Sequence, residues 1–274
     1  MSFDEVGAPA TIELLARYQL DLLLAVRPWD LPAVGELVKR LQGAGVFVGL
    51  WPMLADPDGR WASVSSSTKY VAFADELLAH VPAANELVID LEPPIWLLER
   101  WKDGDPTWRQ TPSPSVYREG RDAMVAATTR WTGERRVTTA VMPFLAVELR
   151  GQWMQRVLGT PASALPVERH SVMAYTSLFE GWSRGLVGRR RAELLLAATA
   201  RLSRRRFGER AGLSLGTVGT GAFGDEPCYR NPSELARDVQ VARKAGIEEL
   251  SLFDLGGVLR RAPATAWLDA YCAT

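Results

Sequence analysis

The chain has 274 residues, 47% hydrophobic and 23% charged, with 32 basic and 32 acidic side chains. A net charge of zero gives no global attraction to nucleic acid or to an anionic membrane, so nucleic acid is not expected as a partner. No apolar run is long enough to span a bilayer, and the opening MSFDEVGAPA lacks the basic and apolar regions of a signal peptide. The compartment stays open between cytoplasmic and exported, and residues 1–274 read as a single large domain.

Short apolar runs alternate with helical stretches from end to end. A helix over about Pro9 to Tyr18 precedes a strand, Leu22 to Val26, which ends at Arg27-Pro28-Trp29. Asp30 is placed as the N-cap of a helix through Val34, Leu37, Val38 and Leu41 that closes at Gly43 and Gly45. Val46 to Leu50 is the next strand, and a loop with Trp51, Asp56, Gly59 and Trp61 leads to a helix over about Lys69 to His80. The strand ELVIDLE, Glu86 to Glu92, runs into Pro93-Pro94 and a long polar loop carrying Trp96, Trp101 and Trp108.

A helix around Tyr117 to Arg130 follows, then a strand from Arg136 to Val141 that stops at Met142-Pro143. Phe144 to Leu158 is partly helical, Ser171 to Tyr175 a strand, and Thr176 to Gly185 a loop. An arginine-flanked helix, Leu186 to Phe207, has Leu194, Leu195, Leu196, Ala198 and Leu202 to turn inward and a solvated basic face outward. Leu213 to Thr217 is a strand opening onto a glycine-rich loop with a solvated Asp225-Glu226, and Asn231 starts a helix ending near Gly246. The last strand, Leu250 to Phe253, ends at Asp254, and a helix covers about Ala264 to Cys272.

Strict alternation of this kind builds right-handed βαβ units around a parallel sheet. The expected fold is α/β, a (β/α)8 TIM-type barrel of which seven strands are readable. Either the first strand lies outside this chain or the barrel is atypical. A doubly wound open sheet is the competing architecture, without the glycine fingerprint it would carry between a first strand and helix. The long loops follow strands and the short ones follow helices, which puts the functional face at the C-terminal ends of the strands.

In ELVIDLE, side-chain alternation sets Asp90 and Glu92 on one face and Leu87, Ile89 and Leu91 on the other. Two carboxylates on one face at the end of an apolar strand suit acid/base work, because a carboxyl in a partly apolar cleft has a raised pKa and can protonate a leaving group. Tryptophans gather on the same predicted rim, where flat rings and indole N–H groups suit the faces of sugars. The candidates for substrate contact are Arg27, Trp29, Trp51, Trp61, Trp96, Met142, Trp182 and Phe253. Two histidines, His80 and His170, and two separated cysteines, Cys228 and Cys272, give no metal-ligand spacing. The thiols are expected reduced, and neither a metal nor a cofactor is expected.

These residues resemble glycoside hydrolase family 18, the chitinase-like barrels. That family ends its fourth strand with D-x-x-D-x-D-x-E, and Asp90-Leu91-Glu92 is similar to its last three positions; Met173-Ala174-Tyr175 is similar to its M-x-Y strand end. Asn85 and Val88 stand where its first and middle aspartates would be, and Phe253 where it usually has tryptophan. The resemblance implies that Glu92 is the general acid/base, that Asp90 orients the 2-acetamido group of a sugar and that Tyr175 hydrogen-bonds it. The acetamido oxygen would then be the nucleophile. Were a second enzyme carboxylate the nucleophile, Asp254 is the candidate. The expected function is glycan hydrolysis, with a carbohydrate as partner and the oligomeric state open. The alternatives are a non-catalytic carbohydrate-binding barrel, and a barrel lyase, aldolase or isomerase with a carboxylate metal site that includes Asp225.

Overall fold

The structure is a computed structural model that describes residues 1–105, 111–148, 152–183 and 185–273. The chain forms two compact units, Met1–Val141 with Glu148–Glu168, and Met142–Val147 with Arg169–Thr274. The first unit begins with α1 (Phe3–Val6) and α2 (Pro9–Arg17) and continues as β1 (Leu22–Val26), α3 (Leu31–Gly43), β2 (Val48–Pro52) and α4 (Ser67–His80). It goes on through β3 (Glu86–Leu91), α5 (Ile95–Lys102), α6 (Pro114–Thr132) and β4 (Arg136–Val141). The chain then enters the second unit for α7 (Phe144–Val147) and returns to the first for α8 (Trp153–Leu158).

The four strands of this unit are parallel and lie in chain order. One face carries Leu22, Leu24 and Val26, Val48 and Leu50, Leu87, Ile89 and Leu91, and Val137 and Val141, all buried. Helices α3, α4 and α6 pack on these strands. Each such side chain removed from water contributes about 1.5–3 kcal/mol. The other face starts with one row, Leu23, Gly49, Glu86 and Arg136, aligned by strand register. Gly49 suits this crowded row: a Cβ would lie 2.8 Å from Leu23 Cδ2 and 3.2 Å from Glu86 Cβ. Glu86 is buried, neutralised by Arg136 at 2.6 Å and hydrogen-bonded by the Thr138 hydroxyl, which donates to it.

Local departures from the sequence reading have local causes. The strand expected from Val46 begins at Val48 because the Val46 N–H closes α3 on the Leu41 carbonyl at 3.1 Å. Asp30 stands at the N-cap position of α3 as expected, but its carboxylate accepts from the Arg27 N–H at 2.9 Å, closing a single turn before the helix, and makes no bond to the helix itself. The loop after Pro94 contains α5, started by the proline carbonyl and tied by the Ile95 N–H to the Gly59 carbonyl at 3.2 Å.

The second unit holds β5 (Arg169–Met173), α9 (Thr176–Gly181), α10 (Arg189–Phe207), β6 (Ala211–Gly216), α11 (Pro232–Lys244), β7 (Glu249–Phe253), α12 (Leu255–Arg260) and α13 (Ala264–Cys272). Its three strands are parallel and again in chain order. Tyr175 has left the strand and caps α9, a helix where the sequence reads as loop. Asn231 caps α11 as expected, accepting from the Glu234 N–H at 3.2 Å. Of the apolar positions of α10, Leu196 is buried, whereas Leu194, Leu195 and Ala198 face solvent. Cys228 and Cys272 are both free thiols. His170 is buried against Phe207, with ring centroids 4.4 Å apart, and burial followed by the Arg210 and Arg206 charges pulls its pKa down to about 4.

Asp238 is fully buried on α11 and accepts from Tyr229 Oη at 2.8 Å, from the Thr176 hydroxyl and from the Arg189 guanidinium. Burial pushes its pKa up to about 6 against the Arg189 charge and these hydrogen bonds. This cluster joins α9, α10 and α11 and explains why an arginine at the start of α10 points inward.

Packing is tight where α6 crosses the segment before α4. A Cβ on Gly120 would lie 2.4 Å from the Val64 carbonyl oxygen and 2.7 Å from its Cα, both backbone atoms that no rotamer can clear. Gly120→Ala is expected to destabilise the chain by about 1–3 kcal/mol through this overpacking, despite the better helix propensity of alanine. The urea unfolding midpoint measures it; an unchanged or raised midpoint would contradict the packing described.

Candidate active site

The carboxylates of ELVIDLE take up different environments. Asp90 is 1% exposed, near the end of β3 and paired in register with Ala140. Its backbone carbonyl is held by the Ala62 N–H at 2.8 Å. Among the described residues its Oδ1 accepts no hydrogen bond. Burial pushes the Asp90 pKa up to about 8, and the Trp51 indole N–H is the group that opposes it. Tyr70, buried in α4, is driven upward by burial and then by the Asp90 charge, and its hydroxyl lies 3.4 Å from the Val88 carbonyl. Glu92, two residues on, is only partly buried. Pro93 and Pro94 after it are buried, and with the Ile95 to Gly59 bond they fix the path of the chain away from Glu92.

Three of the candidate tryptophans, Trp51, Trp29 and Trp96, lie in the first unit. Trp51 lies on β2, partly buried, with the small Ala25 opposite in register. Trp29, directly after β1, is 65% exposed, with the Arg27 guanidinium 5.5 Å from its ring centroid. Trp96 on α5 is 39% exposed. Arg27 is anchored: it bonds the Leu54 carbonyl and pairs with Asp56 at 2.9 Å, and Arg60 pairs with Asp56 at 2.8 Å. Arg60 first, then Arg27, holds the Asp56 carboxyl down at about 2. This ion-pair cluster braces the loop after β2, a job that sequence alone did not assign to Arg27.

Trp61 corrects the sequence reading. It is 2% exposed and belongs to the core, its ring beneath the Arg60 guanidinium at 5.4 Å, so it has no open face for a sugar. Trp101 is partly buried, and Trp108 lies outside the described residues.

In the second unit Tyr175 stacks on Phe253, with ring centroids 5.9 Å apart and planes 9° from parallel. Its hydroxyl meets Ser214 Oγ at 3.1 Å. Gly216 makes room, since a Cβ there would lie 3.2 Å from the tyrosine ring. Asp254 caps α12: its Oδ1 accepts from the Gly257 N–H at 3.2 Å and from the Gly219 N–H at 3.1 Å. The glycines around it serve packing, because a Cβ on Gly257 would lie 2.1 Å from the Gly219 nitrogen. Glu226, expected in solvent, is buried and takes the Ala222 N–H of its own loop at 3.1 Å; Asp225 is exposed. Met142 is partly exposed, and Trp182 is 51% exposed with Phe223 edge-on at 6.5 Å. No group of three or more metal-ligating side chains forms among the described residues.

Tyr70 and Ser214 were not singled out from sequence. Tyr70 sits in an apolar helical stripe with Phe73, Ala74 and Leu77 and gives no local signal. Ser214 could have been noticed as a polar residue within the apolar strand Leu213–Leu215.

No family model and no curated protein sequence matches the chain. Solved structures do. The glycoside hydrolase domain of PgaB (BpsB) from Bordetella bronchiseptica matches with a TM-score of 0.56 and 12% identity, over 89% of this chain and 80% of that one. The class V chitinase of Nicotiana tobaccum matches with a TM-score of 0.50 and 13% identity, over 89% and 86%. A D-psicose 3-epimerase from Clostridium cellulolyticum H10 matches with a TM-score of 0.49 and 11% identity, over 96% and 89%. The fold is therefore of the (β/α)8 barrel type, with seven strands among the described residues, and it is similar to that of glycoside hydrolases including a family 18 chitinase.

The environment of Asp90 has a thermodynamic signature. Its folded pKa lies above the ordinary 3.8, so between about pH 4 and 8 the folded chain holds a proton that the unfolded chain releases. Stability from this group falls as pH rises through that window. His170 has the opposite sign below about pH 6.5 but is common to any Asp90 variant. Asp90→Asn should thus gain in melting temperature relative to the parent as pH rises from 5 to about 8, and level off above. A difference that stays constant over this range would contradict the buried, proton-holding state.

Proposed function

We propose that the chain is a glycoside hydrolase-like enzyme that cleaves a glycan of 2-acetamido sugars, with Glu92 as the general acid/base and Asp90 as its positioning carboxyl. The observation that carries this is the split environment of the pair: one carboxyl buried near the end of β3 with a pKa near 8, the other just past the strand and partly open. Pairs of carboxyls held in contrasting environments are how acid and base roles are divided near neutral pH.

In this reading Glu92 gives its proton to the glycosidic oxygen as the bond to C1 breaks. The acetamido carbonyl oxygen of the same sugar attacks C1 and forms a cyclic intermediate. The Glu92 carboxylate then takes a proton from the water that opens it, returning the enzyme to its starting state with the anomeric configuration retained. Asp90 gains most ionic character as positive charge develops at the acetamido nitrogen, and its ready proton loss near neutrality fits that task. Exposed Trp29 and Trp96 supply rings for sugar faces. Tyr175 is proposed as a substrate hydrogen-bonder by resemblance, its hydroxyl preset by Ser214. Asp254 already serves as a helix cap, which favours the acetamido group over Asp254 as nucleophile. Trp182, Phe253 and Met142 remain proposed contacts.

A second reading is binding without turnover. Asn85, at the first position of the motif, is committed to structure by accepting from the Val48 N–H and the Gln42 amide, each at 3.0 Å, and Val88 has no carboxyl to exchange a proton with Asp90.

Glu92→Gln should lower release of reducing ends from 2-acetamido oligosaccharides by at least about 10³-fold, while calorimetric affinity for the same sugars changes less than tenfold. Turnover unchanged by the substitution would overturn the assignment of Glu92. Sugar binding with no turnover in the parent would select the second reading. Asp90→Asn should lower kcat and displace the alkaline limb of its pH profile; a purely structural role would leave that limb in place.

A further inference from the structure

We propose that the outer face of α10 docks the protein on an anionic lipid surface. At about 100° per residue the buried side chains Ala192, Leu196, Thr199, Ala200, Ser203 and Phe207 fall on one side of this helix. The opposite stripe puts Leu194 and Leu195, 64% and 45% exposed, at its middle together with Ala198. Arg190 and Arg191 flank them one turn before, and Arg201 and Arg205 follow one and two turns after. An ordinary surface helix hides its leucines and exposes only its charges. This one displays both on the same stripe.

The charge on the stripe is uncompensated. The only carboxylate of α10, Glu193, is turned aside into ion pairs with Arg189 at 2.9 Å and Arg237 at 3.0 Å. Arg190, Arg201 and Arg205 form no ion pair among the described residues, and Arg191 bonds the Leu186 carbonyl at 2.9 Å. Leu186, just ahead of the helix, is itself exposed, and α7, which packs on α10, exposes Phe144 and Val147.

A lipid headgroup region satisfies both halves of this surface. Phosphate oxygens take guanidinium forks, while leucines enter the acyl boundary beneath them. A second copy across a twofold axis would instead set arginine against arginine. A nucleic acid would pair the arginines and leave the leucines without an apolar partner. The helix spans about 28 Å at 1.5 Å per residue, and no helix among the described residues is long and apolar enough to cross a bilayer, so the contact would be parallel to the surface.

Co-sedimentation of the whole chain with vesicles tests this. Vesicles of phosphatidylcholine containing about 30% phosphatidylglycerol should retain the protein at low salt, and pure phosphatidylcholine should hold it at least about tenfold more weakly. Leu194→Glu with Leu195→Glu, and separately Arg190→Glu with Arg191→Glu, should each lower retention about tenfold with melting temperature unchanged. The proposal is overturned if the parent does not pellet with anionic vesicles, or if either pair pellets as well as the parent. Self-association broken by the leucine pair, or polyanion binding lost only with the arginine pair, without vesicle retention, would overturn it too. Should a pair melt early, Arg201→Gln with Arg205→Gln at the other end of the stripe provides the same comparison.

Discussion

Burial of a carboxyl without a matching cation is the constraint on which the site depends. A buried carboxylate must be paired, hydrogen-bonded or protonated, since its desolvation is otherwise unaffordable for a marginally stable fold. Asp90 sits on the strand face opposite Ile89 and Leu91, with the Trp51 indole as the favourable contact, and the cheapest state is the protonated one. Glu86, four residues earlier on the same face, is equally buried but meets Arg136 and Thr138. One strand thus carries a neutralised carboxylate at its start, a proton-holding one near its end and a partly open one just beyond.

Asp238 in the second unit shows the alternative solution. It is as buried as Asp90, yet Arg189, Tyr229 and Thr176 converge on it and its pKa is pushed only to about 6. Removing one partner of such a cluster would leave a buried group unsatisfied, so it works as a clamp between α9, α10 and α11. The contrast separates a carboxyl surrounded by donors from one whose Oδ1 accepts no hydrogen bond among the described residues.

What could be read from the sequence followed from period and from punctuation. The two-residue alternation of ELVIDL gives the faces of Leu87, Ile89, Leu91 and Asp90 directly, because a strand allows no other arrangement, whereas Glu92 follows the end of the strand. Asn231 marks the start of α11, and all seven strands are found, though β2 and β5 are displaced by two residues where helix closure or a cap claims the backbone. Helices α5 and α9 read as loops because eight and six residues hold too few turns for a periodic signal. The burial of Trp61 and the exposure of Leu194 were not legible, since each depends on what distant chain segments do or do not cover. The ties of Arg27 to Asp56 and of Tyr175 to Ser214 join residues 29 and 39 positions apart and have no local trace.

The most direct measurement of the central claim is the titration of Asp90 itself. Carbon-13 NMR of aspartate-labelled protein, with Asp90→Asn to assign the resonance, reads the protonation of this carboxyl in the folded chain. A midpoint near 8 is the expected result. A midpoint below about 5, the ordinary range for a solvated aspartate, would contradict the account of a carboxyl kept neutral by burial beside Glu92.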